Sequence, residues 1–191
     1  MQILRIPLGP YATNTYIVHI DGFTAVIDPE ENRGEIAQAL KARGWTPDAI
    51  LITHAHFDHL RGIPGLPENL PVYIHELDAP YLPGRNEEIG SPFRKAIEIC
   101  NPVTALKDGD FVGPLQVMHV PGHSPGCALF IAPGHVFSGD SLFVGARPNL
   151  AFRMADEAAY QASLARMRTL PKDARLHPGH SETGQVFDAP M

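Results

Sequence analysis

At 191 residues, 44% hydrophobic and 19% charged, the chain can bury one substantial core without staples, so a single globular domain over residues 1–191 is expected. A net charge of −6 argues against nucleic acid as the ligand, because phosphate binding is driven by basic surface. Residues 1–7 carry no basic stretch leading into an apolar run, and no apolar run could span a bilayer, so neither export nor membrane association is expected. Cys100 and Cys127 are too few for a disulfide framework and fit a reducing cytoplasm.

Residues 2–7, 15–20 and 23–27 read as strands, the last two joined through Asp21-Gly22, a two-residue hairpin turn. Residues 33–43 place Ile36, Ala37 and Leu40 at helical spacing and close on Gly44, which predicts a helix with a glycine stop. Strands over 48–52 and 72–74 follow. Between residues 76 and 100, Pro80, Pro83, Gly84, Gly90 and Pro92 break the chain into short helical turns and loops. Strands are expected over 115–120, 127–132 and 135–138. A helix is expected over 156–170, with Asp156 as N-cap and Ala159, Leu164, Met167 and Leu170 facing inward, then a last strand over 175–177. Strands and helices in each half, without strict alternation, predict an α+β fold of two packed sheets with helices outside.

The chemistry concentrates in Thr53-His54-Ala55-His56-Phe57-Asp58-His59. Three imidazoles and a carboxylate within six residues are costly to desolvate, and a bound cation is what would organise such a cluster in a folded core. The apolar strand ending at Thr53 would deliver His54 and His56 on one side, two residues apart. Asp58 and His59 would follow in a loop and can turn toward a second ion, although one ion also satisfies these residues. Three later loops repeat one construction, a candidate ligand directly after a strand and a glycine: Pro121-Gly122-His123, Ser138-Gly139-Asp140 and Pro178-Gly179-His180.

Together with Ser124-Pro125-Gly126 and Ser141-Leu142-Phe143, these segments, in this order, resemble the metallo-β-lactamase fold superfamily, in particular its glyoxalase II-like (hydroxyacylglutathione hydrolase-like) branch in a short single-domain form. The resemblance implies an αββα sandwich of two mixed sheets with the site at one edge. It implies that His54, His56 and His123 hold one metal, that Asp58, His59 and His180 hold a second, and that Asp140 bridges them. Imidazole and carboxylate without thiolate suit zinc, and also iron or manganese. The reaction implied is hydrolysis of a small-molecule thioester such as an S-acylglutathione by a metal-bridging hydroxide that Asp58 orients. A thiolate leaving group, with a conjugate thiol of pKa about 8.5, needs no dedicated acid.

Two-domain glyoxalase II enzymes carry part of their glutathione surface on a C-terminal helical domain, and such a domain is expected to be absent here, since the chain stops eleven residues after His180. Arg147 is the candidate for a substrate carboxylate; Tyr11, Asn14 and Phe152 are candidates for the pocket. The alternatives are a persulfide dioxygenase-type oxidoreductase with one iron on His54, His123 and Asp140, and a non-catalytic metal-binding module. The remaining histidines read as structural: His135 in a hairpin turn, His19 and His119 in strands, His75 opening a loop, and His177 in the last strand as a candidate donor behind a ligand. Cys127 is expected to be packed rather than catalytic.

Overall fold

Asp21 and Gly22 take positive φ angles of 50° and 87°, the turn a tight hairpin of right-handed twist requires. Around that turn the computed structural model, which describes residues 1–30, 34–82 and 97–191, opens on an antiparallel meander. Its strands are β1 (Gln2–Leu8), β2 (Thr13–Ile20) and β3 (Phe23–Ile27). Helix α1 (Glu35–Arg43) crosses to β4 (Ala49–Ile52), and β5 (Val72–His75) and β6 (Val103–Leu106) extend the same sheet in parallel. The second sheet holds β7 (Phe111–Val112), β8 (Leu115–His119), β9 (Ala128–Ala132), β10 (His135–Gly139), β11 (Arg175–Pro178) and β12 (Gly184–Gln185). Helix α2 (Glu157–Met167) joins β10 to its parallel neighbour β11.

Side chains alternate across each strand, and both faces of both sheets are covered. Tyr16, Val18 and Ile27 of the first sheet meet Val117, Phe130 and Phe137 of the second in the central layer. On the outer face of the first sheet, Ile17, Ile50 and Ile52 pack under Ile36 and Leu40 of α1. Leu129, Val136 and Leu176 pack under Tyr160, Leu164 and Met167 of α2. The layers are therefore helix, sheet, sheet, helix.

Where the elements depart from expectation, local chemistry explains it. Asp156 does cap α2, its carboxylate accepting from Ala159 N at 3.0 Å, but the regular helix stops at Met167 and residues 168–170 make a turn ahead of Pro171. Leu170 stays buried, Ala159 is half-buried and Tyr160 takes the central inward place. Ala37 points outward. The expected helix start at Arg33 and the breakers from Pro83 to Pro92 lie outside the described residues; the described part of that stretch includes a 3-10 turn, Ala79–Tyr81. Strands β6, β7 and β12 were not anticipated: each is two to four residues long, too short to show alternation. No helix among the described residues is long and apolar enough to cross a membrane.

Candidate metal centre

One end of the sandwich collects four strand exits. β4 runs into Thr53 and His54, after which the 3-10 turn Phe57–His59 rotates Asp58 and His59 inward. The loop after β8 brings His123, β10 runs into Asp140, and β11 runs into His180. The close approach at Gly179 needs glycine, since a Cβ there would overlap Asp140 Oδ1 and sit 2.8 Å from His59 Cε1. All seven expected residues converge; six are buried and His180 is half-buried.

They converge as two overlapping sets. Ligand-type atoms of His54, His56 and His123 lie within 4.8 Å of one another, and so do those of Asp58, His59 and His180; His54, His59 and Asp140 form a third such set. Asp140 stands between the halves, with Oδ2 3.5 Å from both His123 Nε2 and His180 Nε2 and Oδ1 3.7 Å from His59 Nε2.

Neighbouring oxygens fix which nitrogen faces inward. His123 donates from Nδ1 to the Asn149 carbonyl at 2.7 Å, and His180 from Nδ1 to the Tyr11 carbonyl at 3.1 Å. His59 Nδ1 lies 3.0 Å from Asp28 Oδ2. In each ring Nε2 is left to face the centre. Asp28 also accepts from Thr53 N at 2.8 Å and Thr53 Oγ1 at 2.7 Å, tying the end of β4 to the end of β3. Thr13 Oγ1 donates to Asp58 Oδ2 at 3.0 Å.

The halves differ in charge. Burial, with the neighbouring imidazoles, pushes His54 well below its usual range and His56 down to about 3, and burial likewise lowers His123. In the other half burial also favours the neutral ring, but Asp28, Asp58 and Asp140 outweigh it and raise His59 to about 9. Hydrogen bonding to Asp140 and Asp58 likewise overrides burial and raises His180 to about 10. Burial would raise Asp58 and Asp140, yet His59 and His180 hold both carboxyls below the ordinary range.

A divalent cation fits these residues. His54 Nε2, His59 Nε2 and Asp140 Oδ1 are buried without a hydrogen-bond partner among the described residues, a costly state that a shared cation would relieve. The donor set, imidazole and carboxylate without thiolate, suits first-row divalent metals.

A cavity of about 220 Å³ opens onto the centre, lined by His56, Asp58, Asp140 and His180 together with Tyr11, Phe57 and Phe152. Tyr11 and Phe152 are where they were expected; Phe57 was not foreseen as a wall. Asn14 corrects the expectation: it is buried behind the loop, its Nδ2 donating to the Pro178 and Ser181 carbonyls at 2.9 and 2.8 Å, and so holds the His180 loop instead of lining the pocket. Arg147 corrects another, since it points to Glu157 at 2.8 Å and lies over the Tyr160 ring outside that lining.

His177 is likewise no donor to a ligand. It is sandwiched near Tyr16 and Phe137, with Nε2 2.9 Å from His135 Nδ1 at the start of β10. His19 stacks on Trp45, and His75 on His119 at 3.8 Å, all away from the centre. Cys127 is buried against Ser124, and burial pushes its thiol up to about 12, so it is packed and unreactive. Asp28 and Asp78 were both missed. The sequence Ile27-Asp28-Pro29, a carboxylate at a strand exit, was a usable signal for the first.

The sequence model of the metallo-beta-lactamase superfamily matches residues 8–180, a span that contains all seven converging residues. The chain belongs to that superfamily. Among its relatives, a probable metallo-hydrolase, YqgX, of Bacillus subtilis is 32% identical over 98% of this chain and 93% of its own length. A hydroxyacylglutathione hydrolase of Alkalilimnicola ehrlichii is 35% identical over 95% of this chain, which spans 66% of that enzyme. The crystal structure of TTHA1623 in a di-iron-bound form superposes with a TM-score of 0.87 at 38% identity, covering 96% of this chain and 95% of that one. The αββα sandwich is thus the metallo-β-lactamase fold, and its relatives at this identity include hydrolases.

Proposed function

We propose that this chain is a binuclear metallohydrolase of small-molecule thioesters, glyoxalase II-like in its chemistry. His54, His56 and His123 would hold one divalent metal, Asp58, His59 and His180 the other, with Asp140 shared. The observation that carries this reading is the pair of triads, each within 4.8 Å, joined through Asp140. A one-iron oxygenase would need only His54, His123 and Asp140, and would leave the convergence of Asp58, His59 and His180 without a purpose. Zinc is the first candidate; the di-iron form of the TTHA1623 relative keeps iron open.

Bound divalent ions at such a site lower the pKa of a coordinated water toward neutrality and polarise the scissile carbonyl. The side chains supply orientation. Asp58, fixed by Thr13 and held ionised, accepts a hydrogen bond from the attacking water and aims it. Tyr11, Phe57 and Phe152 keep bulk water from the acyl group. At about 220 Å³ the cavity is smaller than the roughly 300–1,000 Å³ typical of pockets that enclose a drug-sized ligand, so it takes the acyl end of the thioester and leaves most of the thiol carrier outside. A departing thiolate needs no protonation there, which fits a lining whose non-ligand members are all aromatic.

The test is elemental analysis of the purified chain beside a thioester panel beginning with lactoylglutathione. About two equivalents of zinc, or of iron, with thioester turnover supports the reading. One equivalent, or two with no thioester cleaved, overturns it.

A further inference from the structure

Asp78 is fully buried near the centre but belongs to none of the ligand sets. It follows β5, just ahead of the 3-10 turn Ala79–Tyr81. Its Oδ2 accepts from the backbone N–H of Ala55 at 2.9 Å and from Ser124 Oγ at 2.7 Å, and its Oδ1 accepts from Gly126 N at 2.6 Å. Ala55 lies between His54 and His56, and Ser124 directly follows His123. One carboxylate therefore clasps the two loops, one from each sheet, that carry all three histidines of the first triad. Contact is tight on the far side too: a Cβ at Gly126 would sit 2.6 Å from Asp78 Cβ, so the His123 loop has no room to slide. Burying a carboxylate is costly, and burial does push this one above its usual range against the three donors. None of these contacts reaches Asp58, His59 or His180.

We propose that Asp78 is the positioning residue of the first metal half-site, setting the spacing of the His54–His56 segment from His123 and leaving the second half-site alone. The inference rests on the two-metal reading above. Asparagine at this position keeps the shape but exchanges one acceptor oxygen for an NH2 group, which must face the backbone N–H of either Ala55 or Gly126 and so loses that bond, loosening the clasp.

The experiment is calorimetric titration of zinc into the full, chelator-stripped chain, wild type and Asp78→Asn, with histidine ring NMR signals identifying which half fills. Wild type takes two equivalents; the variant keeps one at wild-type affinity, while the ion that shifts His54, His56 and His123 binds about 10–100-fold more weakly. Equal weakening of both ions, the mark of a merely structural role, overturns the proposal, and so does no weakening. Should Asp78→Asn not fold by circular dichroism, Ser124→Ala removes one of the three bonds and must show a smaller loss confined to the same half. If wild type takes a single equivalent, the two-metal reading fails separately. Asp78 is then judged on that ion, which must shift the three rings and weaken in the variant, unchanged affinity again overturning the proposal.

Discussion

His54, His56 and His123 are kept neutral by burial and are clasped from behind by Asp78. His59 and His180 instead have their pKa values raised, to about 9 and about 10, by the carboxylates around them, with Asp28 behind His59. The first half is thus in ligand form before any metal arrives, whereas the second must release protons to bind one. Two buried aspartates hold the two halves, Asp28 by tying strand end to strand end within one sheet, Asp78 by tying one sheet's loop to the other's. The lesson is that identical donor types acquire different readiness from the charges packed behind them.

Asp140 belongs to both halves, so Asp140→Ala should break the comparison outright. Thioester hydrolysis is expected to fall by about a thousandfold or more, the scale of several kcal/mol of lost transition-state stabilisation. Steady-state kinetics and metal analysis check it; activity within tenfold of wild type with two metals retained would contradict the shared role. Asp58→Ala should separate the halves: the first ion stays, the second is lost, and hydrolysis drops by roughly a hundredfold or more. Unchanged turnover would refute the two-metal reading.

Asp28→Asn contrasts with the Asp78 test, because Asp28 holds both His59 and, through Thr53, the residue beside His54. In zinc titration it should weaken the ion bound by Asp58, His59 and His180 about 10–100-fold and the other ion by less; unchanged affinity for the former would contradict that role. Phe152→Ala leaves the donors intact while removing a wall beside His56 and His123. Its expected effect is a loss of about tenfold in kcat/KM for bulky apolar acyl groups and little for lactoyl, read from the thioester panel.

The smallest effect is on the metal-free protein, where melting temperature against pH should show both halves. Folded His54, His56 and His123 refuse protons that the unfolded chain, titrating near 6.5, accepts, so their contribution is lost as pH falls below about 6.5. Folded His59 and His180 hold protons that the unfolded chain has released, so theirs is complete below about 6.5 and is lost as pH rises through about 9 to 10. A shift of a few degrees at each end is expected, and zinc should flatten both. A melting temperature that stays level from pH 5 to 10 without metal would contradict the charge difference.

Much of this was legible in the chain. The Asp21-Gly22 turn, the apolar run ending at Thr53 and the repeated strand-glycine-ligand construction locate the strands and all seven converging residues because turn chemistry and ligand density are local signals. What failed was whatever depends on tertiary placement. Asn14 and Arg147 have the polarity of pocket residues, yet one is consumed by the Pro178 and Ser181 carbonyls and the other by Glu157. Asp78 is a lone carboxylate after a strand, and only the meeting of two sheets gives it three donors. Strands β6, β7 and β12 are edge or near-edge pieces whose pairing, not their sequence, makes them strands.

The most direct test is an anomalous difference map from crystals of the zinc-loaded chain. Two peaks are predicted, one held by His54, His56 and His123, the other by Asp58, His59 and His180, with the Asp140 carboxylate between them. A single peak, or a second one away from Asp58 and His180, would contradict the account.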